Sequence, residues 1–353
     1  MRLFGVIKMA RFGKMPSGER LAKTRQSPNF RNGAFQNQSL TPNFTDGATY
    51  AKVLKQVIFD RPKRSAPADE IPSVKTDLLR LAPDDNCLVW FGHSSYFMQL
   101  DGKRFLVDPV FSGSASPFSF MTRAFKGTDR YTTDELPFID YLFITHDHYD
   151  HLDYKTVQQL IPKVGKVITG LGTGEHLEYW GYDPARIVEK DWNQHIDLLP
   201  GFTVDTIPSR HFSGRWFKRN QALWTSFVLQ TPRHRIFIGG DSGYDKHFAE
   251  VGNTFGEFDL AILENGQYNR YWKHIHLMPY EILQAAKDLK ARRIFPVHSS
   301  KFALGPHEWD EPLRLITENN KKEKLNIITP MIGEKVNLDD AGQEFSRWWE
   351  GLK

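Results

Sequence analysis

The sequence predicts an α/β (α+β) protein made of two strand-and-helix halves packed face to face. Short β-rich apolar runs recur from Cys87 onward, separated by turn residues and amphipathic stretches. Strands followed by a helix occur in two successive groups, ending in Gly174–Trp180 and Pro279–Leu289. Three of the later runs end on His211, Asp241 and His298, and loops at strand ends are where such scaffolds place their chemistry.

Residues 1–85 differ in texture from the remainder. They are rich in Pro, Asn, Lys and Arg, with a helical patch near Tyr50–Val57. We expect a basic N-terminal extension that wraps a main domain of residues 86–353. Residues 1–31 carry eight cations (Arg2, Lys8, Arg11, Lys14, Arg20, Lys23, Arg25, Arg31) against Glu19 alone. Such an arm suits anionic lipid, nucleic acid or an acidic partner. Leu3, Phe4, Val6, Ile7 and Phe12 interleave with its charges, as in an interfacial segment. A solvated extension packed loosely on the domain fits the same composition. No stretch organises basic and aromatic residues as a nucleic-acid groove, so nucleic acid is not an expected partner.

The 353 residues are 40% hydrophobic and 13% aromatic, enough for one large core. Charged residues make up 25% and the net charge is +4, which argues against wholesale disorder. Apolar runs fall short of the roughly 20 residues of a membrane span. Cys87 is the only cysteine, which excludes an intrachain disulfide and fits a reducing compartment. The N-terminus shows no secretory pattern. The expected location is cytoplasmic, with room for peripheral contact at a membrane.

Taken in order, Cys87–Phe91 reads as a strand. Ser95–Leu100 and Lys103–Val107 read as a hairpin turned at Asp101-Gly102 and ended by Asp108-Pro109. Residues 112–135 form a long loop with Phe118, Phe120, Met121, Phe125 and Arg130, either an apolar wall beside a site or a surface excursion. Ile139–Ile144 is a buried strand, and Tyr154–Leu160 a helix with Asp153 as its N-cap. Lys166–Thr169, Phe202–Ile207, Thr225–Gln230 with Arg235–Ile238, Leu260–Leu263 and Arg293–Val297 read as further strands.

The stretch Thr145-His146-Asp147-His148-Tyr149-Asp150-His151-Leu152-Asp153 lies on the loop between that strand and that helix. A loop lets His146 and His148 project toward one point, and Asp150 and His151 toward a second. Imidazole and carboxylate at this density suit zinc or a similar borderline metal. A lone histidine is more often a core or capping residue; the combination with His211, Asp241 and His298 is what carries the metal reading.

The His-x-His-x-Asp-His run resembles the signature of the metallo-β-lactamase superfamily. The resemblance implies a four-layer αββα sandwich with a two-metal site at one edge. Matched position by position, it implies that His146, His148 and His211 hold one metal, that Asp150, His151 and His298 hold the second, and that Asp241 bridges them. Two Zn2+ are the expected cofactors, with Fe or Mn compatible with the same donors.

Further segments narrow the resemblance. These are Trp90-Phe91-Gly92-His93-Ser94, Val107-Asp108-Pro109-Val110-Phe111-Ser112, His211-Phe212-Ser213-Gly214-Arg215, Gly240-Asp241-Ser242-Gly243-Tyr244 and Pro296-Val297-His298. They are similar to the N-acyl-phosphatidylethanolamine-hydrolysing phospholipase D family and its bacterial ascorbate-lactonase-like relatives. This likeness implies a binuclear zinc-dependent phosphodiesterase of phospholipase D type. It would release phosphatidic acid and N-acylethanolamine through attack by a metal-bridging hydroxide. Asp241, Asp150 and His276 would be the catalytic residues, and a lipid or small molecule the substrate. The alternative is a metal-dependent lactonase or other carbonyl hydrolase on the same site.

Met278, where the family usually has an acidic or amide residue, and the loop 121–128 depart from the family pattern. Among supporting residues, Asp108 is a candidate to orient a metal-bound histidine. Asp147 and Asp153 read as loop and cap residues, His93 as a structural loop histidine or one that approaches the site, and His274 as a weaker competitor of His276. Arg215 and Arg219, flanking Trp216 and Phe217, suit a lipid phosphate beside apolar chains.

Overall fold

A computed structural model describes residues 10–215 and 218–353 of the chain. The apolar–basic interleaving of residues 2–7, and Trp216 with Phe217, lie outside the described residues.

Two seven-stranded sheets form the body. The first is built from β3 (Cys87–Trp90), β4 (Tyr96–Leu100), β5 (Lys103–Val107), β6 (Ile139–Ile144), β7 (Val164–Gly170) and β8 (Ile187–Lys190), with β16 (Lys335–Asn337) at its other edge, in the order β16-β3-β4-β5-β6-β7-β8. The second has β9 (His195–Leu199), β10 (Phe202–Pro208), β11 (Thr225–Gln230), β12 (Arg235–Ile238), β13 (Leu260–Glu264), β14 (Arg293–Val297) and β15 (Asn326–Ile327) in simple sequence order. In each sheet an antiparallel half passes into a parallel half, at β5–β6 and at β12–β13.

Side-chain alternation explains the layers, because successive strand residues point to opposite faces. Leu88, Trp90, Phe105, Val107 and Phe143 from the first sheet meet Val204, Phe227, Leu229, Ile262 and Phe295 from the second in one core. Their neighbours Cys87, Val89, Leu106, Leu142 and Ile144 face outward, onto Val157, Leu160 and Leu177. Those three lie on α3 (Tyr154–Leu160) and α4 (Gly174–Tyr179). On the far side, Val228, Phe237, Ala261 and Leu263 pack on α5 (His247–Phe255), α6 (Ile282–Asp288) and α7 (Glu311–Glu323). The result is helix, sheet, sheet, helix: the four-layer αββα sandwich.

The hairpin at Asp101-Gly102 forms as expected, with Leu100 opposite Lys103 and both turn residues at positive φ (48° and 76°). Several expected strand ends shift by one or two residues, and one helix start moves further. The helix predicted from Pro279 begins at Ile282, because Pro279 and Tyr280 form a turn in which the Glu281 carboxylate accepts the Met278 N–H. Strands β8, β9, β15 and β16 and helices α5 and α7 were not among the elements expected from the sequence.

Within residues 10–85 the chain runs through α1 (Gly18–Gln26), a small hairpin of β1 (Phe30–Arg31) and β2 (Ala34–Phe35), and α2 (Tyr50–Phe59). These elements are pinned at many points. Arg20 pairs with Glu175, Glu178 and Glu189. Phe35 is buried with Leu171, Trp192, Leu223 and Trp224. Ile71 enters the core between the sheets.

Candidate metal centre

The first donor group converges from three elements. His146 and His148 follow the buried end of β6, and His211 follows β10. His148 Nδ1 lies 2.8 Å from His146 Nε2 and 3.2 Å from His211 Nε2. Asp241, carried past β12 by Gly239 and Gly240, places Oδ2 3.6 Å from His211 Nε2 and 3.9 Å from His146 Nε2. The donor atoms of these four residues all lie within 4.8 Å of one another.

A second group sits alongside. Asp150 Oδ2 is 3.4 Å from both His151 Nε2 and His298 Nε2. Asp241 faces this group too, with Oδ1 3.3 Å from His151 Nε2 and Oδ2 3.1 Å from His298 Nε2. One carboxylate thus serves both clusters, the geometry a bridging residue needs.

His93 joins this group, contrary to its reading as a structural loop histidine. Its Nε2 is 2.9 Å from Asp150 Oδ2, and its ring is fully buried. Asp108 takes the orienting role: its Oδ2 lies 2.8 Å from His151 Nδ1, while Thr145 donates to it through N–H and hydroxyl. That contact turns Nε2 of His151 toward Asp150 and Asp241. His93, Asp108 and His298 all adopt positive φ (54°, 41° and 68°). Such backbone strain on non-glycine residues concentrates at functional sites.

Electrostatics separates the two groups. Burial pulls His146 and His211 well below the usual histidine range and His148 down to about 4, so all three are neutral donors. Burial opposes charge at Asp241, yet His151 and His298 hold its pKa well below the carboxylate range. The atoms also fit a metal by what they lack. Nε2 of His151, Nε2 of His298 and Oδ1 of Asp241 are buried without a hydrogen-bond partner, an arrangement that is costly unless a cation takes the lone pairs. Burial opposes charge at His151 and His298 as well, yet the carboxylates of Asp241 and Asp150 hold both above the usual histidine range, so metal binding there would displace their protons.

Sequence reasoning missed Glu264, which ends β13 inside the sheet. Its Oε2 lies 2.6 Å from His276 Nδ1 and 3.5 Å from His298 Nδ1, and its Oε1 accepts the backbone N–H of Ser242 and Leu277. Within an otherwise apolar strand, a carboxylate that cannot face water was the available signal. His276 itself lies beside the donors, 3.9 Å from Asp241 Oδ2. His274 does not join the donor groups; its carbonyl packs against Gly243, where a Cβ would come within 2.1 Å.

A cavity of about 230 Å³ opens over the donors. Its walls include Phe44, Phe212, Trp272, Ile275 and Leu304, with Arg219 as the cation. No residue of the loop 112–135 lines it; the extension supplies Asn43 and Phe44 instead. Arg215 also turns away. Its guanidinium is buried on the carbonyls of Asp147, Leu152 and Arg11 and stacks over the rings of Tyr149 and Trp180. It therefore braces the histidine loop. Asp147 does likewise, accepting the Gly214 N–H and facing His176. Asp153 sits at the N-cap of α3 but spends its carboxylate on Ser112 N–H and the Thr156 hydroxyl.

Residues 103–299 match the family model described as Beta-lactamase superfamily domain. The chain belongs to the metallo-β-lactamase superfamily. With the two donor clusters at its strand ends, this superfamily member is a metal-dependent hydrolase. It is 37% identical to an uncharacterised Mycobacterium tuberculosis protein across 93% of this chain and 89% of that one. It is also 27% identical to a Caenorhabditis elegans N-acyl-phosphatidylethanolamine-hydrolyzing phospholipase D, covering 71% of this chain and 75% of the relative. Among solved structures, a metallo hydrolase from Ignicoccus hospitalis superposes with a TM-score of 0.55 at 18% identity, over 71% of this chain and 97% of the other. That likeness establishes the fold.

Proposed function

We propose that this metallo-β-lactamase-fold protein is a zinc-dependent phosphodiesterase of phospholipase D type. Its substrate is N-acyl-phosphatidylethanolamine or a related phospholipid, and its products are phosphatidic acid and N-acylethanolamine. The observation that carries the reading is the cavity itself: donors for two metals on its floor, aromatic and aliphatic walls, and one guanidinium among them. A lipid diester presents the complementary parts, an anionic phosphate and apolar chains. The resemblance to the Caenorhabditis elegans phospholipase supports the same class.

His146, His148 and His211 would hold one ion, Asp150, His151 and His298 the other, and Asp241 would join both. Two such ions supply Lewis-acid polarisation of the phosphoryl oxygens and a nucleophile at neutral pH. The chain's own residues do the remainder. Arg219, whose guanidinium lies 4.6 Å from the Phe212 ring, offers a charged donor to the phosphate. Phe44, Trp272 and Leu304 exclude water and take apolar substituents. Hydrolysis breaks the bond from phosphorus to the ethanolamine oxygen; water's oxygen stays on phosphorus, and the departing oxygen needs a proton. His276 stands where it can deliver one from Nε2, its Nδ1 being held by Glu264.

The test pairs metal analysis with turnover of N-acyl-phosphatidylethanolamine, a generic phosphodiester and a lactone, for the wild type and Asp241→Asn. About two metals per chain and metal-dependent lipid cleavage are expected. In the variant, metal content and turnover both fall, the latter by about 100-fold or more. Lactone opening without diester cleavage would transfer the reading to a carbonyl hydrolase.

A further inference from the structure

Large apolar side chains are exposed in one stretch of the extension: Leu40 (90%), Tyr50 (68%), Leu54 (59%) and Phe59 (76%). Three of them lie on or at the end of α2, where Tyr50 and Leu54, four residues apart, share a face. The helix is well formed at its start, with the Thr49 hydroxyl accepting the Lys52 N–H. Burial inside this molecule therefore does not explain Tyr50, Leu54 and Phe59.

Lys52, Lys55, Arg61 and Lys63 intersperse with these residues along the chain, all exposed; none is in an ion pair among the described residues, and Lys52 Nζ donates to the Gly47 carbonyl. Of the two acids in the stretch, Asp46 is paired with Lys273 and Asp60 is exposed, leaving the cations in excess. Apolar side chains interspersed with lysines and an arginine that no carboxylate neutralises match an anionic lipid interface, with the rings among headgroup and acyl atoms and the cations on phosphates. A neutral protein partner would leave these cations unmatched.

The patch is continuous with the cavity mouth. Phe44 lines the cavity and packs edge-on against Tyr50, with ring centroids 4.7 Å apart. Asn269 donates to Gln56, and Thr45 binds the backbone of Arg270 and Tyr271, the segment leading to the cavity residue Trp272. A surface seated on α2 would thus lie beside the entrance.

We propose that residues 40–63, centred on α2, dock the protein on an anionic lipid surface at the mouth of the metal cavity. The proposal rests on the phospholipid reading for its purpose, but vesicle binding is read without turnover, so the two can fail separately.

The experiment is co-sedimentation of the full chain with phosphatidylcholine vesicles and with phosphatidylcholine–phosphatidylglycerol vesicles. Wild type is compared with Leu54→Asp/Phe59→Asp and with Lys52→Glu/Lys55→Glu. The expected result is anionic-vesicle binding at least about tenfold tighter than zwitterionic binding, falling about tenfold or more in either variant. Hydrolysis of soluble bis(p-nitrophenyl) phosphate should stay within about twofold of wild type, since none of the four residues lines the cavity. Absence of wild-type binding, or equal binding by the variants, overturns the proposal. So does sedimentation velocity showing a dimer that the Leu54→Asp/Phe59→Asp change dissolves, because a second copy would then be the occupant.

Discussion

At the scale of single residues, the site depends on carboxylates that hold histidines in one orientation. Asp108 fixes His151 through Nδ1 without being a donor itself. Asp108→Asn keeps the volume and removes the charge, so metal affinity should drop about 10–100-fold in a competitive chelator titration. Turnover at saturating metal should stay close to wild type. Glu264→Gln is expected to act on catalysis, because it unseats His276. kcat should fall about 100-fold with KM held, as for loss of a proton-transfer group. Equal loss of kcat and metal content would instead place Glu264's effect on His298. The cluster of His146, His148, Asp150 and His151 was legible in the sequence because His-x-His-x-Asp-His is local. Glu264 and the reach of His93 were not, since they meet Asp241 and Asp150 only when β13 and β14 lie side by side and the loop after β3 folds against them.

At the scale of elements, the extension is held by charge as well as by packing. Lys14 and Arg20 face Glu175, and Arg20 also reaches Glu189. Burial works against ionised Glu175, but Lys14, Ser17 and Arg20 bring its pKa below the ordinary 4.5. A carboxylate with a depressed folded pKa stabilises fully above its unfolded value and loses that contribution as pH falls through the folded one. Hydrogen-exchange protection factors, corrected for intrinsic rates, should therefore be high over residues 14–26 at neutral pH and fall below about pH 4.5. Glu175→Gln should flatten the dependence. Helix α1 and the pinning of the extension were illegible in sequence, because a run such as Gly18–Gln26 is polar nearly all round and its partners lie about 150 residues away. Composition showed only that the segment is basic.

For the whole molecule, the two sheets and the metal centre depend on each other. The donors come from loops after β6, β10, β12 and β14, drawn from both sheets. Bound metal should therefore stabilise the sandwich as a unit, by about 4 kcal/mol at a thousandfold excess over Kd. A chelated sample should melt several degrees lower by calorimetry and recover on adding Zn2+. The sequence by itself determined the strands β3 to β7, the hairpin at Asp101-Gly102 and the six-residue histidine run, because each is written in neighbouring residues whose alternation or turn chemistry acts locally. Only the tertiary structure decided that Phe44 rather than the loop 112–135 walls the cavity, that Arg219 faces it while Arg215 braces the histidine loop, and that Glu264 holds His276. These outcomes follow from which strand ends the packed core brings within a few ångströms of one another, and no local pattern in the chain encodes that.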